Sequence, residues 1–315
     1  MSDTQRISNG AEYLESLRGR DLRVYLLGER VEDPVEHPII RPSINAMGAT
    51  YELAAEEPEL ATAWSPLIGD RVNRFTHVTT CAEDVVLQNR MQRRLGQLTG
   101  TCFQRCVGMD AINSLFSVTF DVDAARGTGY HRRFSEWLAD VQRRNLVVGG
   151  AMTDVKGDRS KGPAGQADPD LFVRVVARRP DGLVVRGAKA HQTGAINSHE
   201  ILVMPTMALR EGDEAYAITC AVPLNAKGVI LIFGRQTNDE RKAESEMDSG
   251  NPDFGMVGGE ALVVFDQVFV PWDRVFLCGE NDHGGVCALL FALFHRHSYS
   301  GCKPAIGDVM TGLAS

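Results

Sequence analysis

The chain has 315 residues, with 33 Lys and Arg against 41 Asp and Glu for a formal net charge of −8, and 43% of its residues are hydrophobic. This length passes the ~250–300 residues at which single cores tend to divide, so more than one domain is expected. The composition excludes a disordered, collagen-like or low-complexity chain. An acidic balance without a long Lys/Arg stripe argues against nucleic acid as a partner. The longest apolar stretch, Val286–Phe294, is far shorter than the ~20 residues of a membrane span, and Met1–Arg6 has no apolar core of a signal peptide. The expected location is cytoplasmic.

Residues 1–148 read as helical. Ala11–Arg18 and Ala46–Ala55 are short amphipathic runs, and Glu83–Gly100 is a stronger one, rich in good helix formers. Tyr130–Asn145 carries Phe134, Leu138 and Val141 at i, i+4, i+7, a buried stripe. The connection His37–Ser43 is punctuated by Pro38 and Pro42 and cannot be one continuous helix.

From residue 149 the pattern changes. Gly149–Asp170 reads as a Gly-, Asp- and Lys-bearing loop. Leu171–Arg178 and Leu183–Lys189 flank Pro180-Asp181-Gly182, a hairpin whose Asp-Gly pair supplies positive φ. Glu200–Leu209, Ala215–Val222, Val229–Phe233 and Ala261–Val270 read as further strands without helices between them. Residues 149–280 are therefore expected to form an antiparallel sheet or barrel. Gln236–Pro252 reads as a polar, mobile loop. A helix is expected from Gly284 to Ser300 and again from Pro304. The pattern is still apolar and helical where the chain stops at Ser315, so residues 281–315 read as the first part of a truncated helical domain.

Seven cysteines, Cys81, Cys102, Cys106, Cys220, Cys278, Cys287 and Cys302, are an odd number in an apparently unexported chain, which argues against a disulfide framework. Cys102 and Cys106 stand at i, i+4 in a helical context, which would put both sulfurs on one face. The plainer reading is two buried thiols on an amphipathic helix. His295 and Cys302 stand at i, i+7 with Tyr299 between them, and His297 adds a second imidazole. Three sulfurs and one nitrogen suit tetrahedral zinc or an iron–sulfur cluster, although the spacing fits neither common zinc-finger pattern. Gly150–Ser160, with Lys156 and Arg159, suits a phosphate-bearing cofactor or is a solvated charged loop. Gln192 and Thr193 offer hydrogen bonds to the edge of a planar ring or simply form a polar turn. Glu260 is a carboxylate where a loop enters a strand.

Five segments carry a resemblance: HPIIRPSIN (37–45), CFQRCVGMDA (102–111), GAMTDVKGDR (150–159), RGAKAHQTGAINSHE (186–200) and CKPAIGD (302–308). Together they resemble the flavin-dependent 4-hydroxyphenylacetate 3-hydroxylase family over essentially the whole chain, and within it the CoA-ester dehydratase branch. The resemblance implies an α+β, acyl-CoA dehydrogenase-like fold with three parts: residues 1–148 as an N-terminal helical domain, 149–280 as a flavin-binding β domain and 281–315 as the start of a C-terminal helical domain. It implies FAD and a 4Fe-4S cluster held by Cys102, Cys106 and Cys302, with His295 as the fourth, labile ligand. Met152, Thr153, Asp154, Lys156, Gly157, Asp158, Arg159, Gln192 and Thr193 would lie against the flavin. The implied reaction is dehydration of 4-hydroxybutyryl-CoA to crotonyl-CoA with vinylacetyl-CoA Δ-isomerisation, by flavin radical and iron Lewis-acid chemistry. His295 would be the base, and Tyr299, Glu260 and Lys303 would handle protons or substrate. A homotetramer is implied for the full-length family. Val155 departs from the proline expected in the Met-Thr-Asp-Pro-Lys loop. The competing expectations are a flavin-dependent aromatic hydroxylase of the same family, which lacks the Cys/His set, and an inactive metal-binding fragment.

Overall fold

The computed structural model describes residues 5–234, 253–254 and 259–315; the expectation for Gln236–Pro252 lies outside the described residues. Helix α1 spans Gly10–Leu17, capped by the Asn9 side chain, which accepts from the Glu12 N–H. Helix α2, Arg41–Glu56, starts inside the proline-rich connection, five residues before the expected Ala46. Pro42 lies in its first turn, where no backbone N–H is needed. After the single turn α3 (Pro58–Ala61), α4 spans Ala82–Thr99 and stops at Gly100, which has a φ of 65°. Helices α5 (Cys106–Arg126), α6 (Tyr130–Arg144) and α7 (Gly284–Ala314) complete the set among the described residues. No described helix is long and apolar enough to cross a membrane.

The first 148 residues are not purely helical. They contain β1 (Val24–Leu26), β2 (Glu29–Val31), β3 (Thr62–Ser65) and β4 (Asp70–Asn73). Strands of three or four residues leave too little alternation to register as a period. The β1–β2 turn shows in its backbone instead, with Leu27 at φ 53° and Gly28 at φ 88°. Strand β5, Val148–Ala151, opens the segment expected to be loop. There follow β6 (Arg174–Arg179), β7 (Gly182–Thr193), β8 (Glu200–Val203), β9 (Ile218–Pro223), β10 (Val229–Phe233), β11 (Glu260–Pro271) and β12 (Val275–Cys278).

The strands form a six-stranded sheet, β2-β1-β10-β11-β7-β6, a four-stranded sheet, β12-β9-β8-β5, and the β3–β4 hairpin. Among the described residues no sheet closes into a barrel, which corrects that half of the expectation: β2 and β6 are open edges of the larger sheet. Two pairings are parallel, β1 with β10 and β5 with β8; both bring a strand from the N-terminal half beside one from the later β region. The β6–β7 hairpin forms as expected, for a different reason. Neither Asp181 nor Gly182 has a positive φ. A Cβ on Gly182 would stand 2.2 Å from the Val270 carbonyl oxygen, so the glycine serves the close approach of β11.

Helix α7 runs unbroken through Pro304, where two helices were expected. Proline removes the N–H that would reach Ser300, a loss borne on the exposed side of the helix. The opposite side packs on α4 with almost no gap. A Cβ on Gly96 would stand 2.5 Å from the Ala305 Cβ, and one on Gly301 would stand 2.7 Å from the Asn89 carbonyl oxygen. Arg93 clamps the end of the contact by donating to both carboxylate oxygens of Asp308 at 2.8 Å. Beneath it Leu53, Phe75, Met91, Leu95, Phe103, Cys106 and Met109 form a small second core against which Cys302 packs. Gly96→Val is therefore expected to lower stability by about 1–3 kcal/mol through overpacking. A reduced urea midpoint checks this, and an unchanged midpoint would contradict the close contact.

Candidate active site

Cys106 is the first residue of α5 and is buried; Cys102 lies in the preceding loop and is exposed. The two are not stacked on one helix face, which corrects the i, i+4 expectation. Gln104 turns the chain between them with a φ of 65°. Its amide donates to the Ser43 carbonyl at 3.1 Å and its Oε1 accepts from Asn197 at 2.8 Å, so the loop is fixed to α2 and to the β7–β8 connection. The third thiol, Cys302, arrives on α7. The two thiols act on each other: Cys302 and burial raise the Cys106 thiol, whereas Cys106, with Lys303 and His295 assisting, lowers Cys302 against the effect of its own burial. Cys102 lies within electrostatic reach of Cys302, Lys303 and Glu260. Three segments thus bring three thiols together. Among the described residues no three His, Cys, Asp or Glu side chains converge on a position for a single metal ion.

His295 lies two turns before Cys302 on α7. Its Nδ1 is 2.7 Å from Oδ2 of Asp110 and its Nε2 is 2.8 Å from the Tyr299 hydroxyl. Phe291 stacks on the ring with centroids 5.2 Å apart, and the Lys303 Nζ stands 5.2 Å from the Tyr299 ring centroid. Burial raises the Asp110 carboxyl, while hydrogen bonds from His295 and Ser298 pull it back. Burial likewise raises the Tyr299 phenol, and Lys303 opposes it. His297 does not join the cluster; it faces Asn89, with Nδ1 3.0 Å from the amide nitrogen, and burial lowers its pKa.

The segment after β5 approaches from the other side. Lys189, on β7, is 3% exposed and spends its three N–H bonds on the Met152 carbonyl (2.9 Å), the Met204 carbonyl (2.8 Å) and Oδ1 of Asp154 (2.5 Å). Thr206 donates to the other Asp154 oxygen at 2.6 Å. Gln192 accepts from the Met152 N–H at 3.1 Å and donates to the Thr153 carbonyl at 2.9 Å. The expected flavin residues therefore differ in exposure, with Gly157 and Thr193 half-buried. Met152, Asp154 and Gln192 are buried and hold the backbone, whereas Thr153, Lys156, Asp158 and Arg159 are exposed. Lys156, Gly157, Asp158 and Arg159 line a cavity of about 230 Å³ with Gln166 and Thr206. Thr193 pairs across strands with Glu260. The two halves adjoin, because Glu260 acts electrostatically on Cys102 and a Cβ on Gly194 would stand 2.9 Å from the Gln104 Cβ.

Sequence reasoning missed Asp110, Ser298 and any role for Lys189. The available signal for Asp110 was its place four residues after Cys106, one turn along the same helix face. Lys189→Met would strand the buried Asp154 carboxylate and is expected to cost about 3–5 kcal/mol. Thermal or urea unfolding of the flavin-free protein measures this; a loss under 1 kcal/mol would mean that the pair is not holding the segment.

This arrangement of sheets, helices and loop defines a class. The 4-hydroxyphenylacetate 3-hydroxylase N-terminal family model matches residues 9–277, and the chain belongs to that family. More particularly, it is 53% identical over 96% of its length to the 4-hydroxybutyryl-CoA dehydratase/vinylacetyl-CoA-Δ-isomerase of Clostridium aminobutyricum, of which it spans 62%. It superposes on an oxygen-tolerant archaeal 4-hydroxybutyryl-CoA dehydratase from N. maritimus with a TM-score of 0.94 at 57% identity, covering 97% of this chain and 61% of that one. Its mixed helix-and-sheet fold is also similar to the FAD-complexed oxygenase component (HpaB) of 4-hydroxyphenylacetate 3-monooxygenase. There the TM-score is 0.78 and the identity 25%, covering 98% of this chain and 63% of the other. The chain thus spans about three fifths of the relatives it matches.

Proposed function

We propose that this chain forms the part of a 4-hydroxybutyryl-CoA dehydratase with vinylacetyl-CoA Δ-isomerase activity that holds its redox centre. The observation that carries the reading is the meeting of Cys102, Cys106, Cys302 and His295, drawn from a loop, α5 and α7. Three thiols and an imidazole are a fitting donor set for an iron–sulfur cluster. The reading carries an acyl-CoA dehydrogenase-like layout with it: residues 1–148 as the helix-rich domain, 149–280 as the flavin domain and 281–315 as the start of a helical domain.

FAD would be held by Met152–Arg159, Gln192 and Thr193, and a 4Fe-4S cluster by the three cysteines, with His295 as a labile fourth ligand whose nitrogen can take a proton instead. When bound, the flavin supplies one-electron chemistry and the cluster a Lewis-acidic iron for a departing hydroxyl. The chain's own residues supply the proton chemistry. The thioester makes the C2 proton of a C4 acyl-CoA removable, and Nε2 of His295 is the base for it. Tyr299, whose hydroxyl meets that nitrogen, and Glu260 move protons beside it. Lys303, next to the Tyr299 ring and the Cys302 thiol, keeps that side of the site electropositive. Thr193 offers its hydroxyl to the flavin ring. A homotetramer in the cytoplasm, without nucleic acid or membrane as partner, is part of the same proposal.

Protein purified without oxygen is expected to contain about four irons and four sulfides per chain with one FAD, in keeping with a Cys-held cubane, and Cys102→Ala is expected to abolish the iron. Conversion of 4-hydroxybutyryl-CoA to crotonyl-CoA by the protein so loaded completes the test. Flavin without iron, with oxygen-dependent hydroxylation of a phenol, would replace this reading with a hydroxylase. A colourless protein binding one zinc would replace it with a metal-binding fragment.

A further inference from the structure

We propose that Asp110 is the positioning residue of this site: it holds His295 as the Nδ1–H tautomer and so leaves the Nε2 lone pair as the reactive end of the imidazole. What Nε2 then does rests on the functional reading above; the tautomer itself does not.

The contacts around Asp110 set the direction of the proton at His295. The Gln92 amide donates to the Ser298 hydroxyl oxygen at 3.2 Å, and Ser298 donates onward to Oδ1 of Asp110 at 2.7 Å. Gln92, Ser298 and Asp110 are all at most 1% exposed, so water does not compete for these bonds. With a hydroxyl donated to Oδ1 and an imidazole nitrogen 2.7 Å from Oδ2, the carboxylate form of Asp110 accepts at both oxygens, and the hydrogen of the His295 contact then belongs to Nδ1. The opposite tautomer would face the Nδ1 lone pair against a buried carboxylate, a repulsion that low dielectric magnifies. At the far end of the ring, Nε2 then accepts from the Tyr299 hydroxyl at 2.8 Å. Phe291, stacked within 19° of parallel, restrains the ring from turning over. The other imidazole on α7, His297, points to Asn89 and does not share the contact with Asp110.

The consequence is chemical. A nitrogen with a free lone pair can take a proton or bind a metal, and a protonated one can do neither. Asp110 stands one turn after Cys106 on α5, and His295 two turns before Cys302 on α7. The helix pair that brings the thiols together therefore also sets the tautomer.

The test uses the whole chain without iron or flavin, labelled with ¹⁵N-histidine, with the His295 signals identified by their loss in His295→Gln. In the wild type Nδ1 is expected to show the shift of a protonated ring nitrogen and Nε2 that of an unprotonated one. In Asp110→Leu, close in size but without an acceptor, that preference is expected to give way to a tautomer mixture. A wild-type Nε2–H signal, or an Nδ1–H preference that survives Asp110→Leu, overturns the proposal; the wild-type spectrum decides even where the variant does not fold. In iron-loaded protein, Asp110→Leu is expected to weaken metal retention against a chelator by about 10–100-fold. The expected tautomer in a protein that never takes up iron would sink the functional reading alone, and iron uptake with the opposite tautomer would sink this one alone.

Discussion

The site depends first on how closely α7 lies against α4. Glycines at 96 and 301 let one helix backbone meet the other with no side chain between them, and any Cβ there would collide with Ala305 or the Asn89 carbonyl. Interiors packed to crystalline density transmit such constraints without slack. From that contact follow the placement of Cys302 against Cys106, of His295 over Asp110 and of Lys303 beside Tyr299. Lys303 reaches Tyr299, and Tyr299 reaches His295, one turn apart within α7; Cys106 meets Cys302, and Asp110 meets His295, only because two helices far apart in the chain are held in register.

A second constraint is electrostatic. Two carboxylates lie buried on either side of the candidate centre, Asp110 under the imidazole and Asp154 under the segment that follows β5. Each would be costly if left unpaired. Asp110 is met by His295 and Ser298, and Asp154 by Lys189 and Thr206, so in each case both oxygens are occupied. Asp110 is enclosed by the helices around it, whereas Asp154 also lines the cavity beside Lys156–Arg159. Both fix groups that can contact a ligand: the imidazole in one case, and in the other the backbone of Met152 and Thr153, from which the exposed Lys156 and Arg159 extend.

The elements legible in the sequence were those with enough residues to declare a period. The stripe Phe134, Leu138, Val141 marked α6, Gly100 marked the end of α4, and β7, β10 and β11 were marked by runs of branched apolar residues. The three-residue strands β1 and β2 carried no comparable signal, and their parallel contact with β10 is a long-range pairing that no local pattern encodes. Pro304 argued for a break in α7, but a helix held along one face by α4 and α5 tolerates the loss of one hydrogen bond. At the site, the cysteines and His295 stood out because their residue types are chemically distinctive. Asp110, Ser298 and Lys189 did not, since a lone Asp, Ser or Lys is ordinary in any helix or strand. Only their burial and their partners separate them from solvated side chains.

The central claim is that four side chains from three segments share one polynuclear centre. The most direct measurement is anomalous diffraction at the iron edge from crystals grown without oxygen. The account predicts four resolved iron peaks bounded by Cys102, Cys106 and Cys302, with the fourth iron facing His295. A single peak, or iron bound anywhere that leaves Cys106 and Cys302 without it, would contradict it.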